Sequence, residues 1–344
     1  MYGDDSEGGG DLEGGWDTVL PVGGTAVRGV HVAGYHSHPG GRLDMRVLPQ
    51  PFVTVVLGFG DALLHIEGGS GRAALPGLVA GPVPGPTRIR SGRFSCVELR
   101  LSPLAAYALM DTAPADLQGA VTGLEAPWGA PGRRLGERIA GAGDWPERFA
   151  LVDRFLVERA ARAPTADAEV AASWAAIVAR QGRVRIGDLA VACGWSRKRL
   201  WARFTAQVGL TPKRAAMLVR FHGAARRLRA GADVAEAALA CGYVDQSHLH
   251  REVREFTGCT PGALVRLATS ADVDVDVDVD VDVDGDGDAP ARAAHRVDTG
   301  THPGTQPTHL AKQPTQPAKQ PTHPGQAPDS SGSAATHLAK GKTQ

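Results

Sequence analysis

The spacing of apolar positions changes near residue 101. Before it, short apolar runs such as Phe52–Phe59 and Ala62–Ile66 are punctuated by Gly and Pro, the mark of short strands and turns. Phe94–Leu101 partly alternates, with Cys96, Glu98 and Arg100 opposite Val97, Leu99 and Leu101, so the two sets should face opposite sides of a sheet. Strands at this spacing over 19–101 predict a small antiparallel barrel or sandwich. Beyond it the period is helical. Ser102 and Pro103 start a helix that runs to Met110, as N-cap and first-turn residues. Arg133–Ala140 and Pro146–Ala161 come next as amphipathic helices. The second carries a stripe of Phe149, Val152, Phe155 and Leu156, which suits either a linker helix or a dimer seam. Pro164 marks a boundary within 162–167.

A duplication organises the chain beyond this boundary. Ala192-Cys193-Gly194-Trp195 is echoed 48 residues on by Ala240-Cys241-Gly242-Tyr243. Gly209-Leu210-Thr211-Pro212 is echoed 49 residues on by Gly258-Cys259-Thr260-Pro261. The offset is constant but for one residue gained between Gly242 and Leu249, which means two copies of one supersecondary unit. In the first copy Ile186, Leu189, Ala190 and Cys193 make one apolar helical face. Gly194 stops that helix, Ser196 caps the next, and Leu200 and Phe204 turn inward. In the second copy Val234, Ala237, Ala238 and Cys241 repeat the face. Gly242 repeats the stop and Asp245 the cap, with Leu249, Val253 and Phe256 inward. Each copy is a helix-turn-helix, whose second helix can enter a DNA major groove. A helix from about 168 to 181 opens this region. Thr211-Pro212 caps a long helix to about Arg229 between the copies, and Thr260-Pro261 starts a last helix to about Leu267. On the two second helices, packing leaves Arg197, Lys198, Trp201 and Ala202, and then Gln246, Ser247, His250 and Arg251, outward. Lys and Arg can pair with guanine, Gln with adenine, and Trp can pack on a thymine methyl. Arg197, Arg199 and Arg203 suit phosphate or solvent.

With the run Ala240-Cys241-Gly242-Tyr243-Val244-Asp245-Gln246-Ser247-His248-Leu249, then Arg251, Phe256, Gly258 and Thr260-Pro261, residues 168–268 resemble the AraC family of bacterial transcription regulators. The resemblance implies two helix-turn-helix units joined by a long helix and bound to double-stranded DNA. It also implies base-reading positions at Lys198, Trp201 and Ala202. Ala202 departs from the family pattern, in which a longer polar side chain often stands there, so this helix is expected to read fewer bases. Family precedent gives the second helix more backbone contact. The N-terminal half is then expected to be a cupin-like barrel that binds a small-molecule effector or makes a homodimer. RNA polymerase joins the candidate partners.

Charge sharpens this picture. The chain as a whole balances 37 Lys+Arg against 37 Asp+Glu. The balance hides 16 Lys+Arg against 6 Asp+Glu over 180–266, and nine Asp with no base over 272–288. The basic part is the duplicated part, as a phosphate-binding surface requires.

Other chemistry is sparse. Four cysteines without a CxxC pair fit neither a disulfide framework nor zinc, and Cys193 and Cys241 occupy equivalent apolar positions. His36-Ser37-His38 has the spacing of a strand metal site. The carboxylate and distant third His of a cupin metal set are missing, so no metal, no cofactor and no catalytic residue is expected. A cupin-like enzyme with an accessory DNA-binding module is the alternative, and an architectural DNA-binding protein that senses nothing is a third reading. The Asp280–Gly285 run begins like a calcium loop, but its twelfth position is Ala291. No apolar run is long enough to span a membrane and no signal peptide is visible, which points to the cytoplasm and the nucleoid. The expected class is α+β multidomain. It comprises a disordered 1–18, a β-rich 19–130, a helical linker over 131–167, an all-α double helix-turn-helix over 168–268 and a disordered low-complexity tail over 269–344.

Overall fold

Two antiparallel sheets form the first half of a computed structural model that describes residues 16–68, 71–83, 87–119 and 121–268. The strands are β1 (Trp16–Val19), β2 (Val30–Ser37), β3 (Leu43–Val47), β4 (Val53–Phe59) and β5 (Leu64–Gly68). They continue with β6 (Gly71–Leu75), β7 (Gly77–Ala80), β8 (Thr87–Ser91), β9 (Ser95–Leu101) and β10 (Val121–Thr122). One sheet has the order β1-β2-β9-β4-β7-β10, the other β3-β8-β5-β6. The expected alternation in β9 holds. Val97, Leu99 and Leu101 join a core shared with helices, while Cys96 joins the core between the sheets. β4 and β7 divide in the same way, so the larger sheet is buried on both faces.

The helical cover is α1 (Pro103–Leu109), α2 (Glu125–Gly141) and α3 (Trp145–Ala160), with a 3-10 turn at Pro114–Leu117. Ser102 caps α1 as expected, its hydroxyl accepting from Ala105 N at 3.1 Å. α2 starts eight residues before the expected Arg133, across a kink at Gly129 that brings Trp128 into the core. The apolar stripe of α3 serves neither as a linker helix nor as a free seam. Phe149, Val152 and Leu156 are buried in the core that α3 shares with α1, α2 and the larger sheet, with Phe155 packed beside them. The Asp153 carboxylate holds Thr25 Oγ1 and Ala26 N, both at 2.9 Å. Residues 131–160 are therefore part of the first core and not a linker.

The N-terminal boundary also moves. The composition predicts disorder through residue 18, yet Trp16 pairs with Ser37 in β1 and packs edge-on to Phe94, with ring centroids 5.9 Å apart. Residues 1–15 and 269–344, expected to be disordered, lie outside the described residues.

The second half is all helical: α4 (Ala168–Ala179), α5 (Ile186–Ala192), α6 (Arg197–Val208), α7 (Pro212–Arg229), α8 (Val234–Ala240), α9 (Gln246–Thr257) and α10 (Pro261–Ala268). Its core holds Leu200, Phe204, Phe221, Leu249 and Val253, each fully buried. Leu48, Val83 and Leu104 from the first half pack against that core. Gly209 ends α6 at a φ of 82°, and a Cβ there would lie 2.5 Å from Pro114 O of the 3-10 turn. All described residues fall within one compact unit.

Candidate nucleic-acid interface

The two helix-turn-helix units are built alike. Gly194 and Gly242 end the first helices at φ of 65° and 75°, a left-handed turn that glycine takes without strain. The second helices, α6 and α9, have 12 residues each and end in left-handed Gly209 and Gly258. Ser196 Oγ accepts from Arg199 N at 3.2 Å, and Asp245 Oδ1 from His248 N at 2.7 Å. These caps satisfy amide donors that a helix start otherwise leaves open. Ser196→Ala is expected to lower unfolding free energy by about 1 kcal/mol, with Ser196→Asp near wild type. Urea denaturation of the full chain checks both.

Below the outer faces, each second helix is tied down at an equivalent position with the charges reversed. In α6, Arg203 makes a two-pronged pair with Asp167 at the start of α4, both contacts at 2.6 Å. This hydrogen-bonded pair holds the Asp167 carboxyl below the usual carboxylate range. Glu252 stands 49 residues on in α9 and is buried. It accepts from Tyr243 Oη at 2.7 Å and pairs with Arg220 of α7. Burial first, then the neighbouring Glu252 charge, pushes the Tyr243 hydroxyl well above its ordinary range. Arg214 of α7 also pairs with Glu255 of α9.

The expected outward residues are brought to exposed faces. Arg197, Lys198, Trp201 and Ala202 are exposed on α6, Trp201 at 54%. Gln246, Ser247, His250 and Arg251 are exposed on α9, and Arg251 Nε donates to Ser247 O at 3.3 Å. Arg203 differs from its fellows, because its guanidinium is committed to Asp167. Sequence reasoning did not single out Arg254, exposed on α9, and it gave Arg199 to phosphate or solvent without foreseeing that the guanidinium lies 4.4 Å above the Trp195 ring. The buried Arg220–Glu252–Tyr243 group was missed too. Its one visible trace was a carboxylate at a helix position that faces inward.

Two features of the first half bear on ligands. A cavity of about 120 Å³ lies between the sheets, lined by Trp16, Tyr35, Phe52, Glu98 and Arg100, and bordered by Arg229 of α7. Trp16 Nε1 is buried without a hydrogen-bond partner among the described residues. His36 and His38 do not converge on one point. His36 Nδ1 meets Ser95 Oγ at 2.7 Å and His38 Nε2 meets Asp17 Oδ1 at 2.8 Å. Among the described residues no group of three or more His, Cys, Asp or Glu is placed to hold a metal ion. No helix among them is long and apolar enough to cross a membrane.

Two successive turn-linked helix pairs with matching caps define a helix-turn-helix domain, and residues 189–266 match the helix-turn-helix domain family. Over 66 residues the chain is 36% identical to YbfI, an uncharacterized HTH-type transcriptional regulator of Bacillus subtilis (strain 168), covering 19% of this chain and 24% of the relative. The chain thus spans about a quarter of the length of that relative. Among solved structures it is similar to ToxT from Vibrio cholerae O395, with a TM-score of 0.40 and 10% identity over 71% of this chain and 99% of that one. It is also similar to a probable AraC family transcriptional regulator from Rhodopseudomonas palustris CGA009. There the TM-score is 0.27 and the identity 28%, over 30% of this chain and 98% of that one.

Proposed function

We propose that the chain is a sequence-specific DNA-binding transcription regulator that lays α6 and α9 into successive major grooves. The observation that carries this reading is the pair of capped helices with outward faces of Arg, Lys, Gln and Trp, above inward faces consumed by the core. The 18 residues of α7 span about 27 Å. That is of the order of the 34 Å or so between neighbouring grooves on one face of a duplex. Lys198, Trp201 and Ala202 face bases in one groove, with Arg197 beside them at phosphate. Gln246, Ser247, His250 and Arg251 position or read in the next. Arg203 acts indirectly, by holding α6 against α4. The working division is residues 16–160 as the sensing part and 168–268 as the DNA-binding part. A small-molecule effector seated between the sheets would meet Trp16 Nε1 and border Arg229 of α7, which gives the first half a route to the DNA-binding half.

Lys198→Ala tests base reading. Loss of a contact to guanine should cost about 1–3 kcal/mol and relax preference at one base pair. A phosphate contact would instead weaken all sequences equally and flatten the salt dependence. Binding-site selection with wild type and variant separates these, and identical selected motifs would reject the base-reading role.

A further inference from the structure

The outer faces of α6 and α9 carry more positive charge than the composition suggests. α6 has no acidic residue, and both carboxylates of α9, Glu252 and Glu255, are engaged by Arg220 and Arg214 of α7. Arg197, Lys198 and Arg199 on α6 and Arg251 and Arg254 on α9 are exposed, and no carboxylate on either helix offsets them. Two large apolar side chains are exposed on or beside these helices, Trp201 of α6 at 54% and Val244 of the turn before α9 at 87%. Four residues beyond the end of α10 at Ala268, the chain enters Asp272–Asp284, in which seven Asp alternate with six Val. Its alternation of acid and apolar positions complements a surface that carries both cations and apolar groups. The tether is short and the reach ample. The 16 residues from 268 to 284 can extend to roughly 50 Å, whereas α9 spans about 18 Å and α7, which joins the two units, about 27 Å. A segment attached at this distance acts at high effective concentration, so weak individual ion pairs add up.

We infer that Asp272–Asp284 docks on the outer faces of α6 and α9 and competes there with duplex phosphate, making the chain its own electrostatic inhibitor. The inference rests on the DNA-binding reading only for its consequence, since the contact itself can be observed without DNA. Three proteins decide it: the full chain, the chain ended at Ala271, and a full-length variant with Asp→Asn at 272, 274, 276, 278, 280, 282 and 284. The first readout is acrylamide quenching of Trp201, isolated by subtracting a Trp201→Phe version of each protein. Quenching should be stronger in the shortened and Asn-substituted chains at low salt. The difference should close near 1 M salt, where the Debye length falls to about 3 Å. The second readout is affinity for a mixed-sequence duplex. It should rise about tenfold in both altered chains at low salt, with the gain shrinking as salt is added. Unchanged Trp201 quenching overturns the inference even if affinity rises, because the acids would then only repel DNA at a distance. Unchanged affinity with changed quenching overturns the competition. Absence of duplex binding by all three proteins would defeat the DNA-binding reading, while the quenching difference would still decide whether the segment docks.

Discussion

Glu252→Ala is expected to lower the unfolding free energy by roughly 3–5 kcal/mol, the cost of leaving the partner of a buried ion pair uncompensated. The Glu252 side chain is 2% exposed and that of Arg220 is 16%. Removing the carboxylate strands a guanidinium that lies 4.7 Å from the Tyr243 ring. It also takes the acceptor from Tyr243 Oη. Because Arg220 belongs to α7 and Glu252 to α9, the loss should fall on the seat of the second recognition helix. Glu252→Gln keeps an acceptor for Tyr243 and should cost less. A double replacement of Arg220 and Glu252 by Leu should recover much of the loss, since no lone charge then remains buried. Urea denaturation of the single and double variants measures this directly. A loss below about 1 kcal/mol for Glu252→Ala would place the pair among solvent-screened ones.

The second large effect is on pH. His222 of α7 packs edge-on to Phe52, with ring centroids 5.8 Å apart. Burial, followed by the charges of Arg226, Arg100 and Arg229, lowers its pKa from 6.5 to about 4. A depressed histidine pKa means that the unfolded chain takes up a proton before the folded one. Stability contributed by the neutral imidazole is then complete above pH 6.5 and declines as pH falls toward 4. The expected loss is roughly 2–3 kcal/mol over that window. His222→Gln should flatten the slope between pH 6.5 and 5, where few carboxylates yet titrate. An equal slope in both proteins would show that His222 takes up its proton in the folded state at an ordinary pH.

The features legible in the sequence were local. The offset repeat, the caps at Ser102, Ser196, Thr211 and Asp245, and the inward Leu200, Phe204, Leu249 and Val253 all stand as expected, because each depends on neighbours within a few residues. The fate of the α3 stripe was not legible. Its amphipathic pattern said that one face is buried, and only the fold says that the core shared with α1, α2 and the larger sheet buries it. Trp16 was hidden for a similar reason, since its partners Ser37 and Phe94 are distant in the chain. Arg203 and Lys198 looked alike as outward cations. A carboxylate 36 residues away separates them. The same distance effect concealed the Arg220–Glu252 pair, in which the partners lie 32 residues apart.

If one chain reads two grooves, binding-site selection with the full protein from a random duplex library reveals it most directly. The expected product is an asymmetric motif with two blocks about one helical turn apart, near 10 base pairs centre to centre. Substitutions at Lys198 or Trp201 should blur the first block, and substitutions at Gln246 or Arg251 should weaken or blur the second. A single short block confined to one groove, or no enriched motif at all, would contradict two-groove reading.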